Sequence, residues 1–348
     1  MGSKRIPSII LMKDYETLDL GDIKLLSGKI LKSAKITYKI YGTLSKNSDN
    51  AIVLPTFYTG THKRNEGFFG PGRAIDPSKY FVVSINMFGN GLSSSPSNSP
   101  SPQDGPRFPD ITLWDNINCQ HKLLTEKLKV KKIVLVTGWS MAGCQAYQWA
   151  AQFPNMVKSI LPFCASAKTS IHNHVFLEGV KAALISDKNW NNGDYKSPPI
   201  AGLKAFGRVY AGWAFSQDFF REELFKKLGF KTVEELLKDW ENDHVKNWDA
   251  NDLLAKLKTW QKADISSGPI YNNDFQKALK SIKARTILMP CNQDLYFRTK
   301  DNELEAKYIS NAVLKPIDSP FGHCAANPGN DKNFEKQLDK NISELLNE

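Results

Sequence analysis

Residues 131–150, KKIVLVTGWSMAGCQAYQWA, run from an apolar β-branched segment through a turn of small residues into a helical pattern. So short a bend between strand and helix demands a parallel strand–turn–helix unit whose turn tolerates close backbone approach. Ser140 stands at the bend, in Gly138-Trp139-Ser140-Met141-Ala142. The nucleophile-elbow pattern is Gly-x-Ser-x-Gly, and Ala142 takes the place of its last glycine. The added methyl is tolerable if φ stays negative, as in a first helical turn, and Gly143 follows to permit a close strand–helix contact. On these residues alone two readings stand: a catalytic serine on a strained turn, or a serine that begins a helix by capping it.

The flanking pattern places that unit. Strand-like runs cover 35–42 (KITYKIYG), 51–57 (AIVLPTF) and 80–88 (YFVVSINMF). The first alternates polar and apolar residues, so it suits a half-exposed edge strand, while the other two look buried on both faces. A helix near 114–128, a strand at 132–137, a helix at 141–153 and a strand at 158–163 follow. The alternation predicts an α/β fold with a mostly parallel sheet flanked by helices. It breaks near residue 165, after which helical patterns carry five tryptophans (190, 213, 240, 248, 260). Strands at 285–291 and 312–318 and a helix near 331–346 close the chain. The expected organisation is a core first part (1–165), a helical lid insertion (166–280) and a core second part (281–348). Such an insertion would cover the C-terminal strand ends, where open α/β sheets bind ligands. Residues 89–110, rich in Gly, Ser and Pro, read as a long functional loop.

The 46 basic against 36 acidic residues give a charge of +10. The lysines are scattered, and the densest run, KLKVKK at 127–132, belongs to a helix end, so no nucleic-acid partner is expected. Five cysteines (119, 144, 164, 291, 324) form no CxxC pair, which points to a reducing compartment and a cytoplasmic protein. No apolar run has the length of a membrane span, and no membrane partner is expected. The start, MGSKRIPSIILMK, has too short an apolar part for a secretory signal, and Ile6 stands where a myristoylation site wants Ser or Thr.

A serine hydroxyl needs a base and a group to hold that base. The α/β-hydrolase order is Ser, then Asp or Glu, then His. Asp294, in MPCNQDLYF, lies just past strand 285–291, and His323, in DSPFGHCAANPG, just past strand 312–318. Asp318 competes for the acid role but ends the strand leading to His323 and should point elsewhere. The assignment is therefore Ser140, Asp294 and His323. The oxyanion hole should take the N–H of Met141 and one from loop 55–62, PTFYTGTH, with Tyr58 the choice and Thr59 beside it. His172 and His174 have metal-like spacing without a supporting cluster, so no metal site is expected. Gly89 and Gly91 lack the GxxxxGK[ST] context of a phosphate loop.

Taken together, ITYKIYGTLSKNSDNAIVLPTFYTGTH, AIDPSKYFVVSINMFGNGLSSSPS, FPDITLWDNINCQHKLLTEKLKVKKI, NWDANDLLAKLKTWQKADIS and PIDSPFGHCA resemble the homoserine O-acetyltransferase-like family of α/β-hydrolase fold proteins over nearly the whole chain. The resemblance puts the family's Ser, Asp and His on Ser140, Asp294 and His323. It also implies a homodimer through the lid helices. Three departures matter. Trp139 and Ala142 replace glycines of the family's Gly-Gly-Ser-Met-Gly-Gly. Cys324 stands after the histidine where the acetyltransferases carry an Asp for the substrate ammonium. No arginine occupies AGWAFSQ (211–217), where a lid arginine would hold the carboxylate; Arg208 and Arg221 are the nearest. An amino acid needs both charges paired in a buried site. An apolar pocket drawn from Tyr58, Thr59, Trp139, Trp213, Phe215 and Cys324 suits an uncharged, short-chain ester instead. The leading expectation is thus an esterase without a cofactor, its acyl-Ser140 intermediate resolved by water. The alternative is an O-acetyltransferase with acetyl-CoA as co-substrate and a hydroxyl acceptor such as homoserine. The remote alternative is a silent ligand-binding module.

Overall fold

A computed structural model describes residues 14–347. Eight strands form one sheet: β1 (Glu16–Lys24), β2 (Ile30–Tyr41), β3 (Ala51–Pro55), β4 (Phe81–Asn86), β5 (Ile133–Trp139), β6 (Ser159–Phe163), β7 (Arg285–Leu288) and β8 (Ala312–Leu314). Their order is β1-β2-β4-β3-β5-β6-β7-β8. The first two pairings, β1–β2 and β2–β4, are antiparallel, and the rest are parallel. The expectation that 35–42 forms the edge is corrected: β2 is second, and β1 covers it. Only Leu18, Leu20 and Ile23 of β1 turn inward, and Gly21 at φ 62° breaks the register, so its apolar signal is thin.

The central strands are buried on both faces, as crossover helices on each side of a parallel sheet require. Alternate residues of β3 enter two apolar clusters, Ala51 and Val53 on one face, Ile52 and Leu54 on the other. Helix Met141–Gln152 is buried along its whole length, with Tyr147 and Trp149 in the first cluster. Helix Lys332–Leu346 covers the second through Phe334, Leu338, Ile342 and Leu345, a stripe at helical spacing. The predicted helix near 114–128 starts at Leu113, where Thr112 and Asp115 close a capping box. Its last turn, Leu123–Lys127, widens to π geometry.

Between β6 and β7 the described residues form helices Ile171–Ile185, Ile200–Ala214, Gln217–Arg221, Val233–Asn247, Ala250–Gln261 and Phe275–Lys280, and no strand. Ser170, Ser216, Thr232, Asp249 and Asp274 each accept a first-turn N–H, which fixes where most of these helices begin. Their shared core is aromatic, with Phe176, Phe206, Tyr210 and Trp260 packed on Tyr58, Tyr296 and Phe297.

The chain leaves β3 for β4 on one side and returns for β5 on the other. That reversal opens a crevice at the strand ends. Close contact holds it: a Cβ on Gly143 would stand 2.5 Å from the Ala165 Cβ and 2.8 Å from the Gly138 carbonyl oxygen. Gly143→Ala should therefore cost about 1–3 kcal/mol through overpacking, read as a lower urea midpoint at unchanged m-value.

Candidate active site

Ser140 follows β5 at φ 60° and ψ −127°, a conformation that costs an L-residue about 1–3 kcal/mol. Its N–H donates to the Phe163 carbonyl at 3.1 Å, and its own carbonyl accepts from Cys144 at 3.0 Å. The hydroxyl makes no capping hydrogen bond, so the helix-cap reading falls. A Cβ on Gly138 would stand 2.4 Å from that of Ala142. Glycine at 138 leaves the room that the Ala142 methyl fills, so the departure from Gly-x-Ser-x-Gly is absorbed within the turn.

The two late loops meet. His323 Nδ1 and Asp294 Oδ2 are 2.6 Å apart, and both side chains are buried. The other oxygen of Asp294 accepts the N–H groups of Tyr296 and Phe297, each at 3.0 Å. An ionised carboxylate only accepts, so Nδ1 carries the proton and Nε2 is left as a base. The rings of Tyr296, Trp139 and Phe297 stand 4.4, 5.1 and 5.6 Å from the imidazole. Asp318 is exposed, away from this pair. Donor atoms of Cys164, Asp294 and His323 lie within 4.8 Å of one another. The carboxylate is already saturated, however, and burial pushes the Cys164 thiol well above its ordinary value. That set is a hydrogen-bonded pair beside a neutral thiol, poorly suited to a cation.

Loop 55–62 faces the Ser140 turn across the crevice. Gly60 N–H closes it onto the Phe57 carbonyl at 3.0 Å. Among the described residues, no acceptor lies in reach of the Tyr58, Thr59 or Met141 N–H. Gln145 ties the two sides together, donating to the Thr56 carbonyl at 2.9 Å and to that of Met141 at 3.3 Å. Its own oxygen accepts from Gln120, which in turn accepts from the Trp149 indole. No local pattern marks Gln145, a polar residue inside a helix, because its partners come from loop 55–62 and a neighbouring helix.

Ser140 and His323 open onto one cavity of about 710 Å³, the size of a small-molecule site. Tyr58, Thr59, Trp139, Phe215 and Cys324 line it. Trp213 does not: it packs on His172 and Phe176 at 5.4 and 5.0 Å, while Tyr210 and Ala214 of the same helix take the cavity face. The sequence reading also missed Arg64, Tyr210, Trp240, Trp248 and Tyr296. Helix Val233–Asn247 contributes Leu236, Asp239, Trp240, Asp243, His244 and Asn247, a 3–4 spacing that was available as a signal. Arg208 pairs with Glu234 and Glu241, and Arg221 with Asp218, so neither serves the cavity. Arg64 does line it, bonded to the Thr59 carbonyl and the Asn327 side chain.

Comparison with known proteins places the chain in a family. The family described as alpha/beta hydrolase fold matches residues 52–326. The ethyl acetate hydrolase of Pseudomonas veronii is 34% identical, over 95% of each chain. A homoserine O-acetyltransferase of Chlorobium chlorochromatii is 28% identical, over 86% of this chain and 87% of its own. The solved structure of the acetyl esterase MekB superposes with a TM-score of 0.93 at 34% identity, covering 96% of this chain and 97% of the other.

All five cysteines are buried and unpaired. Burial pushes the Cys324 thiol, on the cavity wall, to about 12. At pH 8 a thiolate fraction of roughly 10⁻⁴ follows from that value. The native protein should resist Ellman's reagent at pH 8 for many minutes and release five equivalents only on denaturation. Rapid modification of one thiol in the native state would contradict this burial.

Proposed function

Since the chain belongs to the alpha/beta hydrolase fold family, in a branch shared with esterases and homoserine O-acetyltransferases, we propose that it hydrolyses short-chain carboxylic esters through an acyl-Ser140 intermediate. The observation that carries this reading is the buried Asp294–His323 hydrogen bond beside a strained serine on one aromatic cavity. Ser140 Oγ forms a bond to the ester carbonyl carbon as His323 Nε2 takes its proton. Asp294 stabilises the imidazolium and fixes its tautomer. The carbonyl oxygen, now negative, is held by the Met141 and Tyr58 N–H groups. Collapse breaks the carbon–alkoxy bond, and His323 returns the proton to the departing alcohol. Water then attacks the acyl-serine with His323 as base, releasing the acid and restoring Ser140. No cofactor enters these steps.

Water is favoured over an amino-acid acceptor by the neutral Cys324 thiol beside the histidine. A second reading, acyl transfer from acetyl-CoA to a hydroxyl acceptor, is kept by one observation. Arg64 and the pair Asp239 and Asp243 give the cavity wall charges of both signs. The helical insertion 166–280 acts as the lid and supplies a large part of that wall, including Tyr210, Trp240 and Trp248. A second copy of the chain docks on its helix Ile171–Ile185, where Ile171 and Val175 are 86% and 62% exposed. The dispersed thiols suit a reducing, cytoplasmic setting. Among the described residues no helix is long and apolar enough to cross a membrane.

Two measurements test these statements. The protein should turn over a short-chain activated ester, with kcat lowered about 10⁴-fold or more in Ser140→Ala and about 10³–10⁴-fold in Asp294→Asn. Ester turnover that survives Ser140→Ala would sink the nucleophile, and homoserine-dependent release of CoA from acetyl-CoA would move the function to acyl transfer. Sedimentation of the Ile171→Asp, Val175→Asp double variant should shift toward monomer; an unchanged distribution removes that interface.

A further inference from the structure

Lys256, on helix Ala250–Gln261, is fully buried. An ammonium taken out of water costs several kcal/mol unless its surroundings compensate. Its hydrogen bond goes to the Tyr58 carbonyl rather than to a carboxylate. Nζ donates to the Tyr58 carbonyl at 2.6 Å and sits over the Trp248 ring, 3.7 Å from its centroid, and 5.4 Å from that of Tyr58. Asp252, one turn earlier, spends both oxygens on Ser97, at 2.9 and 2.6 Å. Burial pushes the Lys256 ammonium below its ordinary value, and Asp252 pulls the other way.

The same helix holds Tyr58 a second time, through the Tyr58 hydroxyl donating to the Leu253 carbonyl at 2.9 Å. A third feature is shaped to admit this lysine. Gly89 sits at φ 83°, and a Cβ there would stand 3.0 Å from Lys256 Cγ. Both peptide planes that flank Tyr58 are consequently pinned: the Phe57 carbonyl by Gly60 N–H and the Tyr58 carbonyl by Lys256. The Tyr58 and Thr59 N–H groups have no hydrogen-bond partner among the described residues.

We propose that Lys256 is a positioning residue of the oxyanion hole: it holds the Tyr58 carbonyl while Gly60 holds the Phe57 carbonyl, and the Tyr58 backbone fixed between these two peptides presents its N–H, on the Phe57–Tyr58 peptide, to the carbonyl oxygen as it becomes negative. The proposal rests on the hydrolase reading above. A donor that must be aimed before the reaction contributes mainly to the transition state, so its loosening lowers kcat and leaves substrate binding nearly unchanged. A lysine that merely fills the core would affect stability alone.

The test compares wild type, Ser140→Ala, Lys256→Met and Lys256→Gln. It reads kcat and KM on a short-chain ester, inhibition by a trifluoromethyl ketone that forms the tetrahedral oxyanion on serine, and melting temperature. Lys256→Met should lower kcat by about 10–100-fold, a fraction of what a whole oxyanion donor supplies, with KM within about twofold. Affinity for the ketone should fall by the same factor as kcat. Lys256→Gln, a neutral donor, should recover part of both. Wild-type kcat and ketone affinity in Lys256→Met, or a loss of kcat with ketone affinity intact, overturns the proposal. If Lys256→Met does not fold, Lys256→Gln decides by the same two readouts. Ester turnover absent from wild type, or surviving in Ser140→Ala, removes the hydrolase reading itself and is told apart by those two samples alone.

Discussion

The backbone of Ser140, held at positive φ between a buried strand and a buried helix, is the constraint from which the site is built. An isolated chain would relax that residue at once, gaining about 1–3 kcal/mol. Here it cannot, because both flanks are already committed. β5 is paired on both sides, with β3 and β6, and helix Met141–Gln152 is wholly buried. The Phe163 carbonyl accepts the Ser140 N–H, and the Cys144 N–H donates to the Ser140 carbonyl, so each end of the residue is bonded to a different element. Small residues at 138, 142, 143 and 165 then let helix and strands approach closely enough for the bend to close. The strain is offset by burial elsewhere, and its product is a serine hydroxyl that makes no capping bond.

Sheet order does the remaining positioning. β3 and β5 are neighbours whose connections diverge, so the loop after β3 and the turn after β5 face each other across one crevice. β6, β7 and β8 follow in sequence order on one side, which carries Asp294 and His323 in from consecutive strand ends. The strands themselves are short there. β7 ends at Leu288 and β8 at Leu314, but bridges from Phe163 to Met289 and from Cys291 to Ile317 extend the pairing to the loops that bear the two residues. Backbone pairing thus brings the Asp294 and His323 loops side by side.

This explains what could be read from the amino-acid order and what could not. The strand-end placement of Ser140, Asp294 and His323 was legible because an apolar β-branched run followed by a small or polar residue marks a strand end in one dimension. The parallel core was legible for the same reason. β1 was not, since an edge strand buries only alternate residues and Gly21 interrupts its register. The cavity wall was read poorly because it depends on helix rotation, which periodicity fixes only to within a residue. Trp213 was expected on the wall, yet Tyr210 and Ala214, four residues apart, share that face while Trp213 turns to Phe176. Arg64, Gln145 and Lys256 carry no local signal at all. Each looks like a solvated or neutral helix position, and each is defined by a partner at least five residues away, in most cases across the fold.

The helical insertion therefore has a closer relation to the chemistry than a cover has to a cleft. Helix Val233–Asn247 lines the cavity, while helix Ala250–Gln261 grips Tyr58 by its hydroxyl and by its carbonyl. Only two residues, Trp248 and Asp249, separate these helices. Asp249 caps the second helix, and Trp248 both lines the cavity and stacks on the Lys256 ammonium. A ligand that presses on Trp248 presses on the group that pins the Tyr58 peptide. Trp248 thus joins the aromatic cavity wall to the lysine that holds the Tyr58 carbonyl, so the wall and the loop after β3 share one corner of the insertion.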